Sequence, residues 1–473
     1  MLLRRASSSS VYPFLHNDGG KDPSKHISQQ FFFCFYKDAT EIKSNNKNML
    51  LQKSLTVASR QAPQRLAKVA RGLSTWGDVA QGPADPILGL TQDFNNDTDP
   101  RKVSVGAGAY RGEDGKPWVL PSVREAEQRI LDAKMNHEYL PISGDADFVK
   151  CSLEFLYGAD CSALAEGRVA GAQALSGTGA LCLAGHFLRK FKPGTPIYLP
   201  TPTWGNHHAI FRDAGIEGIA YRYLDSETPT LDFAGVCEDL NNAPKGAAVL
   251  FHACAHNPTG VDPNVEQWKE LSEICKKNEL IPLFDTAYQG FASGDADADA
   301  FSVRHFVEEG HSVISTQSFS KNFGLYGDRT GCLSFVTDSS SEKAAVESQI
   351  KLIVRPMYSN PPSGGARIVS AILNDPSLSA QWYAECKSMA ERIGEARTTL
   401  REHLEANSTR DWSHVTSQIG MFAYTGLTAD ECTQMIEKHH VYLTKDGRVS
   451  MAGVTQNNAQ YIAEAMADVT GGI

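Results

Sequence analysis

Five short apolar runs, separated by amphipathic stretches, set the frame for most of this chain: 197–200, 247–252, 281–285, 312–318 and 332–336. Apolar runs of this length, bounded by turn residues, read as strands buried on both faces. The stretches between them carry a helical period. In 122–135, Val123, Ala126, Ile130 and Leu131 are placed on one face, and in 265–277 so are Val265, Trp268, Leu271 and Ile274. Strand and helix in alternation predict an α/β fold, with a mainly parallel sheet and helices on both faces. Past about residue 378 the pattern changes. A charged helical stretch, 379–406, precedes short strands near 419–425 and 448–453, which predicts a second, smaller lobe.

Composition narrows the functional classes. With 41% hydrophobic and 21% charged residues, the 473-residue chain is not disordered, collagenous or disulfide-dense. No run approaches the ~20 apolar residues of a membrane span. The net charge of −10 gives no reason to expect nucleic acid. That charge is unevenly divided: residues 1–73 hold 12 Lys/Arg against 4 Asp/Glu, the remainder 33 against 51. Between Met49 and Trp76 no acidic residue occurs, and Leu66, Val69 and Leu73 stand apart from Arg65 and Lys68 at helical spacing. This is the composition of an organelle transit peptide, for a mitochondrion or a plastid; the plainer alternative is a basic tail. Residues 1–48, with four acidic residues and the patch FFFCFY, fit less well, and Met49 is an alternative start. The ten cysteines show no CxxC pair and read as reduced thiols of an intracellular enzyme.

Ligands of open α/β sheets sit beyond the carboxyl ends of the strands. Here those ends read TPTWGNHH, ACAHNPTG, DTAYQGF and SFSKNFG. Lys321 follows a buried strand between two phenylalanines, where an amine loses proton affinity and becomes nucleophilic; the alternative is a surface lysine. Asp285 ends a very apolar strand, so it needs a cation or several donors; the alternative is a helix cap. Ser176-Gly177-Thr178-Gly179 opens an apolar helix, an arrangement that can cradle phosphate. Three other patterns fail. GAGAYRG at 106–112 misses the dinucleotide fingerprint by one residue. His252 and His256, if both lay on one strand, would stand some 13 Å apart, too far to share a metal. Asp295, Asp297 and Asp299 open like a calcium loop but lack its glycine and glutamate, and read as a solvated acidic loop.

Taken together, HEYLPI, SGTGAL, PTWGNH, HACAHNPTG, DTAYQGFASGD, SFSKNFGLYGDR, RPMYSNPP, QIGMF and KDGRVSMAG resemble the class I aspartate aminotransferases, in the mitochondrial branch, from about Thr75 onward. The resemblance implies the fold-type I architecture and pyridoxal 5′-phosphate. It casts Lys321 as the Schiff-base lysine and proton shuttle, and Asp285, buttressed by His207, as the partner of the protonated pyridine nitrogen. Trp204 would stack on the ring, and Asn257 and Tyr288 would hydrogen-bond its hydroxylate. Ser176, Gly177, Thr178, Ser318 and Arg329 would bind the phosphate. Arg448 would grip the substrate α-carboxylate, with Gly108 and Phe422 beside it. Arg355 and Tyr139 would reach in from a partner subunit, to the side-chain carboxylate and the phosphate, making the protein a homodimer with shared sites. Cis peptide bonds are implied at Thr201-Pro202 and Asn257-Pro258. The expected division is a targeting head (1–73), an arm (74–84), a large domain (118–387) and a small domain (85–117 with 388–473).

The expected function is transfer of the amino group of aspartate to 2-oxoglutarate, giving oxaloacetate and glutamate by a ping-pong route, with dicarboxylic amino and oxo acids as substrates. Alternatives are an aminotransferase of broader scope, taking aromatic or kynurenine-type substrates, and a membrane- or fatty-acid-binding protein with secondary catalysis. A nicotinamide dehydrogenase is a further reading, but it leaves Lys321 idle. No metal is expected.

Overall fold

The computed structural model describes residues 75–82, 86–225 and 228–472. Expectations for residues 1–73 lie outside them. The chain divides into two units, 1–83 and 84–473. Of the first, the described part is a turn at 75–78 closed by a hydrogen bond from the Val79 N–H to the Trp76 carbonyl, 3.1 Å.

Among its described residues the second unit has eleven strands: β1 (Val103–Ser104), β2 (Val169–Leu175), β3 (Ile197–Thr201), β4 (Gly218–Arg222), β5 (Ala248–His252), β6 (Ile281–Thr286), β7 (Ile314–Ser318), β8 (Thr330–Val336), β9 (Phe422–Tyr424), β10 (Val441–Tyr442) and β11 (Arg448–Ser450). Seven form one sheet, in the order β2-β8-β7-β6-β5-β3-β4. Only β8 runs against its neighbours, so the sheet is mainly parallel, as the alternation predicts. Both faces are covered. On β5, Ala248 and Leu250 join one core, with Leu181, Phe211 and Val354 from the helices Ser176–Phe191, Asn206–Asp213 and Ser340–Tyr358. Val249 and Phe251 join the other, with Leu156, Leu240, Trp268 and Phe306 from four further helices. Burial on both sides is why these strands read as unbroken apolar runs.

Four strands escape the sequence pattern. β2, VAGAQAL, is rich in alanine because helices press close: a Cβ on Gly171 would lie 2.7 Å from Val149. β4 is the far edge of the sheet and largely exposed. β1 and β10 are two residues each, paired parallel with one another. Two expected core residues are corrected. Leu131, about 100° round the helix from Ile130, is exposed, and so is Val265, the first residue of its helix.

The residues past the sheet form a smaller assembly. β9 and β11 pair antiparallel, so that Phe422 stands opposite Ser450 and Tyr424 opposite Arg448. The helices Ala429–His439 and Ala459–Val469 pack against one another, and the first also meets β10. A 32-residue helix, Pro376–Asn407, runs from the large sheet's helices to this assembly, touching Pro121–Asp132 at one end and Ala459–Val469 at the other. Among the described residues no helix is long and apolar enough to cross a membrane, and all nine cysteines are free.

Candidate active site

The carboxyl ends of β2, β3, β5, β6 and β7 open into one cavity, lined among others by Ser176, Trp204, Asn257, Asp285, Tyr288 and Lys321. Its floor follows from register. His252 of β5 lies beside Asp285 of β6, which lies beside Thr316 of β7. Asp285 is buried, 3.1 Å from His207 Nε2. His207 belongs to the helix that starts just after the β3 exit, and its Nδ1 is 2.8 Å from Thr203 Oγ1. Thr203 Oγ1 also meets His252 Nε2 at 3.1 Å, while His252 Nδ1 accepts the Asn257 N–H at 3.3 Å.

These contacts fix one direction of donation for neutral rings. Asn257 N–H donates to His252, His252 Nε2–H to Thr203, Thr203 O–H to His207, and His207 Nε2–H to Asp285. Burial holds His252 down to about 3, which keeps it neutral. For Asp285 burial pulls upward, but the His207 hydrogen bond and the nearby Lys321 outweigh it and hold the carboxyl below its ordinary range. A buried anion results, aimed at the cavity and suited to a cationic ring nitrogen.

The histidine spacing argument is overturned here. The strand ends at His252 and the chain turns through Ala255, at φ 50°, so the His252 and His256 rings lie 4.2 Å apart, not 13 Å. His256 stacks on Tyr223 at 3.9 Å, and among the described residues no group of three ligands that could hold a metal exists. The acidic-loop reading is corrected too. Asp295 caps the helix Ala296–Asp299 and Asp297 pairs with Arg304. Asp299 is buried and accepts the N–H groups of Gly290, Ala292 and Ser293 at 2.8–3.3 Å, anchoring the turn after Tyr288.

The opposite wall is a hydroxyl-rich cradle. Ser176, at φ 61°, joins β2 to the helix Ser176–Phe191, whose start no side chain caps. First-turn N–H groups of a helix lack intrahelical partners. Ser176 Oγ lies 3.0 Å from Ser318 Oγ and 2.9 Å from Ser320 Oγ. Glycine is needed beside them: a Cβ on Gly177 would come within 3.2 Å of Ser318, and one on Gly331 within 2.6 Å of the Ser176 backbone. Thr178 and Arg329 complete the lining. Uncapped N–H groups, four hydroxyls and a guanidinium form a donor set for a phosphate dianion. Between cradle and floor stands Lys321, partly buried, its Nζ 5.4 Å from the centre of the Tyr288 ring. Burial, with Arg329 and Arg448 adding, lowers its proton affinity against the pull of Asp285. Burial pushes the Tyr288 hydroxyl up. Trp204 flanks the cavity, its ring edge-on to His207.

Arg448 of β11 approaches from the smaller assembly. It is buried, over the Phe422 ring at 4.2 Å, with Nη2 3.1 Å from the Gly106 carbonyl and Nη1 3.4 Å from Asn257 Oδ1. Nε has no partner, and among the described residues no carboxylate is ion-paired to it. Gly108 passes so close to Phe422 that a Cβ would meet its ring at 3.2 Å. Two expected residues are not brought to the cavity by this chain. Tyr139 is 81% exposed, and Arg355 is exposed with its Nη1 donating to Ser359 Oγ at 2.8 Å.

The sequence model for aminotransferase class I and II matches residues 100–466. The chain belongs to this family. It is 50% identical over 396 residues to a mitochondrial aspartate aminotransferase of Dictyostelium discoideum, spanning 84% of this chain and 93% of that protein. It is 49% identical to the mitochondrial aspartate aminotransferase of Gallus gallus, spanning 89% and 99%. Among solved structures, an aromatic-amino-acid aminotransferase from Burkholderia pseudomallei, covalently bound to pyridoxal phosphate, superposes with a TM-score of 0.82 at 43% identity, covering 84% of this chain and all of that one. The cytoplasmic aspartate aminotransferase of Saccharomyces cerevisiae gives 0.82 at 42%, covering 84% and 98%.

For an aminotransferase site, sequence reasoning omits three groups that the structure supplies. Thr203 and His252 extend the contact behind Asp285, and Ser320 joins the cradle. Thr203 and Ser320 lie inside motifs quoted for other residues. Both expected peptide bonds, Thr201-Pro202 and Asn257-Pro258, are cis.

Proposed function

We propose that this aminotransferase takes L-aspartate and 2-oxoglutarate to oxaloacetate and L-glutamate, in two half-reactions at the cavity around Lys321. One observation carries the substrate class: Arg448 is buried beside Asn257 of the cavity, and among the described residues no carboxylate is ion-paired to it. A buried guanidinium without an anion is costly, so a carboxylate is the natural guest, held by the two-pronged fork.

Pyridoxal phosphate, when bound, supplies an electron sink for the bond broken at the substrate Cα. The residues that fit it are those described. Ser176, Gly177, Thr178, Ser318 and Arg329 hold its phosphate, Asp285 holds a proton on the ring nitrogen, and Asn257 and Tyr288 orient the ring hydroxyl side. Trp204 covers one ring face and His207 keeps Asp285 ionised. Lys321 Nζ would serve as the base that moves the proton at the substrate Cα, and its lowered proton affinity suits that task. Arg448 fixes the α-carboxylate, with Gly108 and Phe422 shaping its side.

Arg355 and Tyr139 enter this reading through a second copy of the chain. Both are surface residues here, so a homodimer that inserts them into the neighbouring cavity completes the site and supplies the second carboxylate grip. Residues 1–73 are read as a mitochondrial targeting head and 74–84 as an arm, ahead of a large domain (118–387) and a small one (85–117 with 388–473). The names of the relatives support the mitochondrion; import of a reporter fused to residues 1–73 checks it.

The test is an absorbance spectrum of the purified protein with and without aspartate. A visible band that moves with pH and falls to the ultraviolet on adding aspartate supports the reading, and Lys321→Ala abolishes the pH-dependent band and lowers turnover by at least about three orders of magnitude. A protein that stays colourless with added pyridoxal phosphate sinks it. A second reading, broader scope including aromatic amino acids, is favoured by the Burkholderia pseudomallei structure at 43% identity. Comparing kcat/KM for phenylalanine and aspartate separates the two.

A further inference from the structure

We propose that Arg397 is a positioning residue for the substrate-carboxylate side of the site, setting where Phe422 and Arg448 stand without touching the substrate. This rests on the reading of Arg448 as the α-carboxylate grip.

Arg397 lies within the long helix Pro376–Asn407 and is buried. Its partners are three backbone carbonyls: Nη1 donates to Val415 at 2.8 Å, and Nη2 to Gly420 at 2.8 Å and Phe422 at 2.5 Å. Its Nε has no partner, and among the described residues no carboxylate is ion-paired to it. Burial alone holds it down to about 9. A buried charge compensated only by carbonyls is an expensive way to join a helix to a loop. Leu or Met would pack as well. What the guanidinium offers is a rigid fork of donors that reaches three carbonyls at once: Val415 in the short helix His414–Ser417, Gly420 in the loop after it and Phe422 at the start of β9.

Those carbonyls belong to the segment that carries the site. Phe422 begins β9; its ring bears the Arg448 guanidinium and abuts Gly108. From the other side the Ile419 N–H donates to the Gly260 carbonyl at 2.7 Å. A Cβ on Gly260 would come within 2.9 Å of the Ile419 and Phe422 carbonyls, so the two loops touch backbone to backbone. The Gly260 loop holds Asn257, whose Oδ1 meets Arg448. Arg397 therefore grips a segment that contacts Arg448, Gly108 and the Asn257 loop together. The phosphate cradle and Lys321 stand instead at the ends of β2 and β7.

The test is steady-state kinetics of the holoenzyme for aspartate and 2-oxoglutarate, in Arg397→Met, Arg397→Lys, Arg448→Ala and Leu404→Ala. Leu404 is buried on the same helix, so its truncation reports plain destabilisation. Arg397→Met is expected to raise KM for both substrates roughly tenfold with kcat within about threefold, a loss of binding rather than of chemistry. Arg397→Lys restores part of that, and Leu404→Ala lowers Tm with KM unmoved. If Arg397→Met does not fold, Arg397→Lys decides: a raised KM supports the proposal and an unchanged one overturns it. A KM in Arg397→Met no higher than in Leu404→Ala also overturns it. If Arg448→Ala leaves KM unchanged, the reading of Arg448 falls and takes this inference with it. A raised KM there with an unmoved KM in Arg397→Met removes only the inference.

Discussion

The two halves of the cavity are built differently. The half behind Asp285 and Ser176 hangs on the exits of five strands of one sheet, with side chains tied to one another at 2.8–3.1 Å. The half around Arg448 stands on three-residue strands and irregular backbone, held from outside by Arg397, while Arg355 and Tyr139 stay on the surface. The first half draws these contacts from a single chain; in the proposed dimer the second half would be assembled with Arg355 of a second copy, and the cradle would also receive Tyr139 from it. Rigid elements suit the half that must hold developing charge at fixed geometry, and short strands on a smaller assembly suit the half that admits and releases substrates.

The largest expected effect breaks the rigid half. Asp285→Ala leaves His207 without its acceptor and removes the anion facing the ring nitrogen. Losing a fixed charge that stabilises the charge developing in the reaction costs about 4 kcal/mol, roughly a thousandfold in kcat. The loss should fall on kcat rather than on KM, the reverse of the pattern expected on the Arg448 side. A loss confined to KM would dissolve the distinction between the halves.

The assembled half gives the next effect. Arg355→Ala should lower kcat/KM for aspartate by about 3 kcal/mol, roughly a hundredfold, and leave monocarboxylic amino acids nearly untouched. Mixing the inactive Lys321→Ala and Arg355→Ala chains is sharper. If Arg355 crosses to the partner, each mixed dimer regains one intact site, and about a quarter of wild-type activity returns at random pairing. No recovery would mean that Arg355 serves its own chain.

The same difference explains what could be read in advance. Lys321, Asp285 and the strand exits were legible because a doubly buried strand must be apolar, so a charge at its end stands out. His252 misleads because a strand continued straight past its last residue would carry His256 away, and no residue pattern announces the turn at Ala255. β2 was missed because close helix packing selects alanine and glycine, which carry no strand signal. Arg397 sits in a helix with charged residues throughout, where nothing in the spacing distinguishes a buried guanidinium from a solvated one. Arg355 and Tyr139 were legible only by resemblance, since their proposed neighbours belong to another chain.

The smallest effect asks what the rigid half costs. Asp299 anchors the turn after Tyr288 through three N–H groups, yet burial lifts its carboxyl to about 6 from an ordinary 3.8. The folded protein thus holds this proton more tightly than the unfolded chain does. Stability from this group is full below about pH 4 and is lost as pH rises through 6, on the order of 3 kcal/mol in all. Asn at this position keeps an acceptor for the turn and carries no charge. The Tm of Asp299→Asn should therefore gain on that of the wild type as pH is raised from 4 to 7, the contribution of every other carboxylate cancelling in the difference. Parallel Tm curves would show that the three N–H groups fully compensate the buried charge, so that the rigid half holds its anions without penalty.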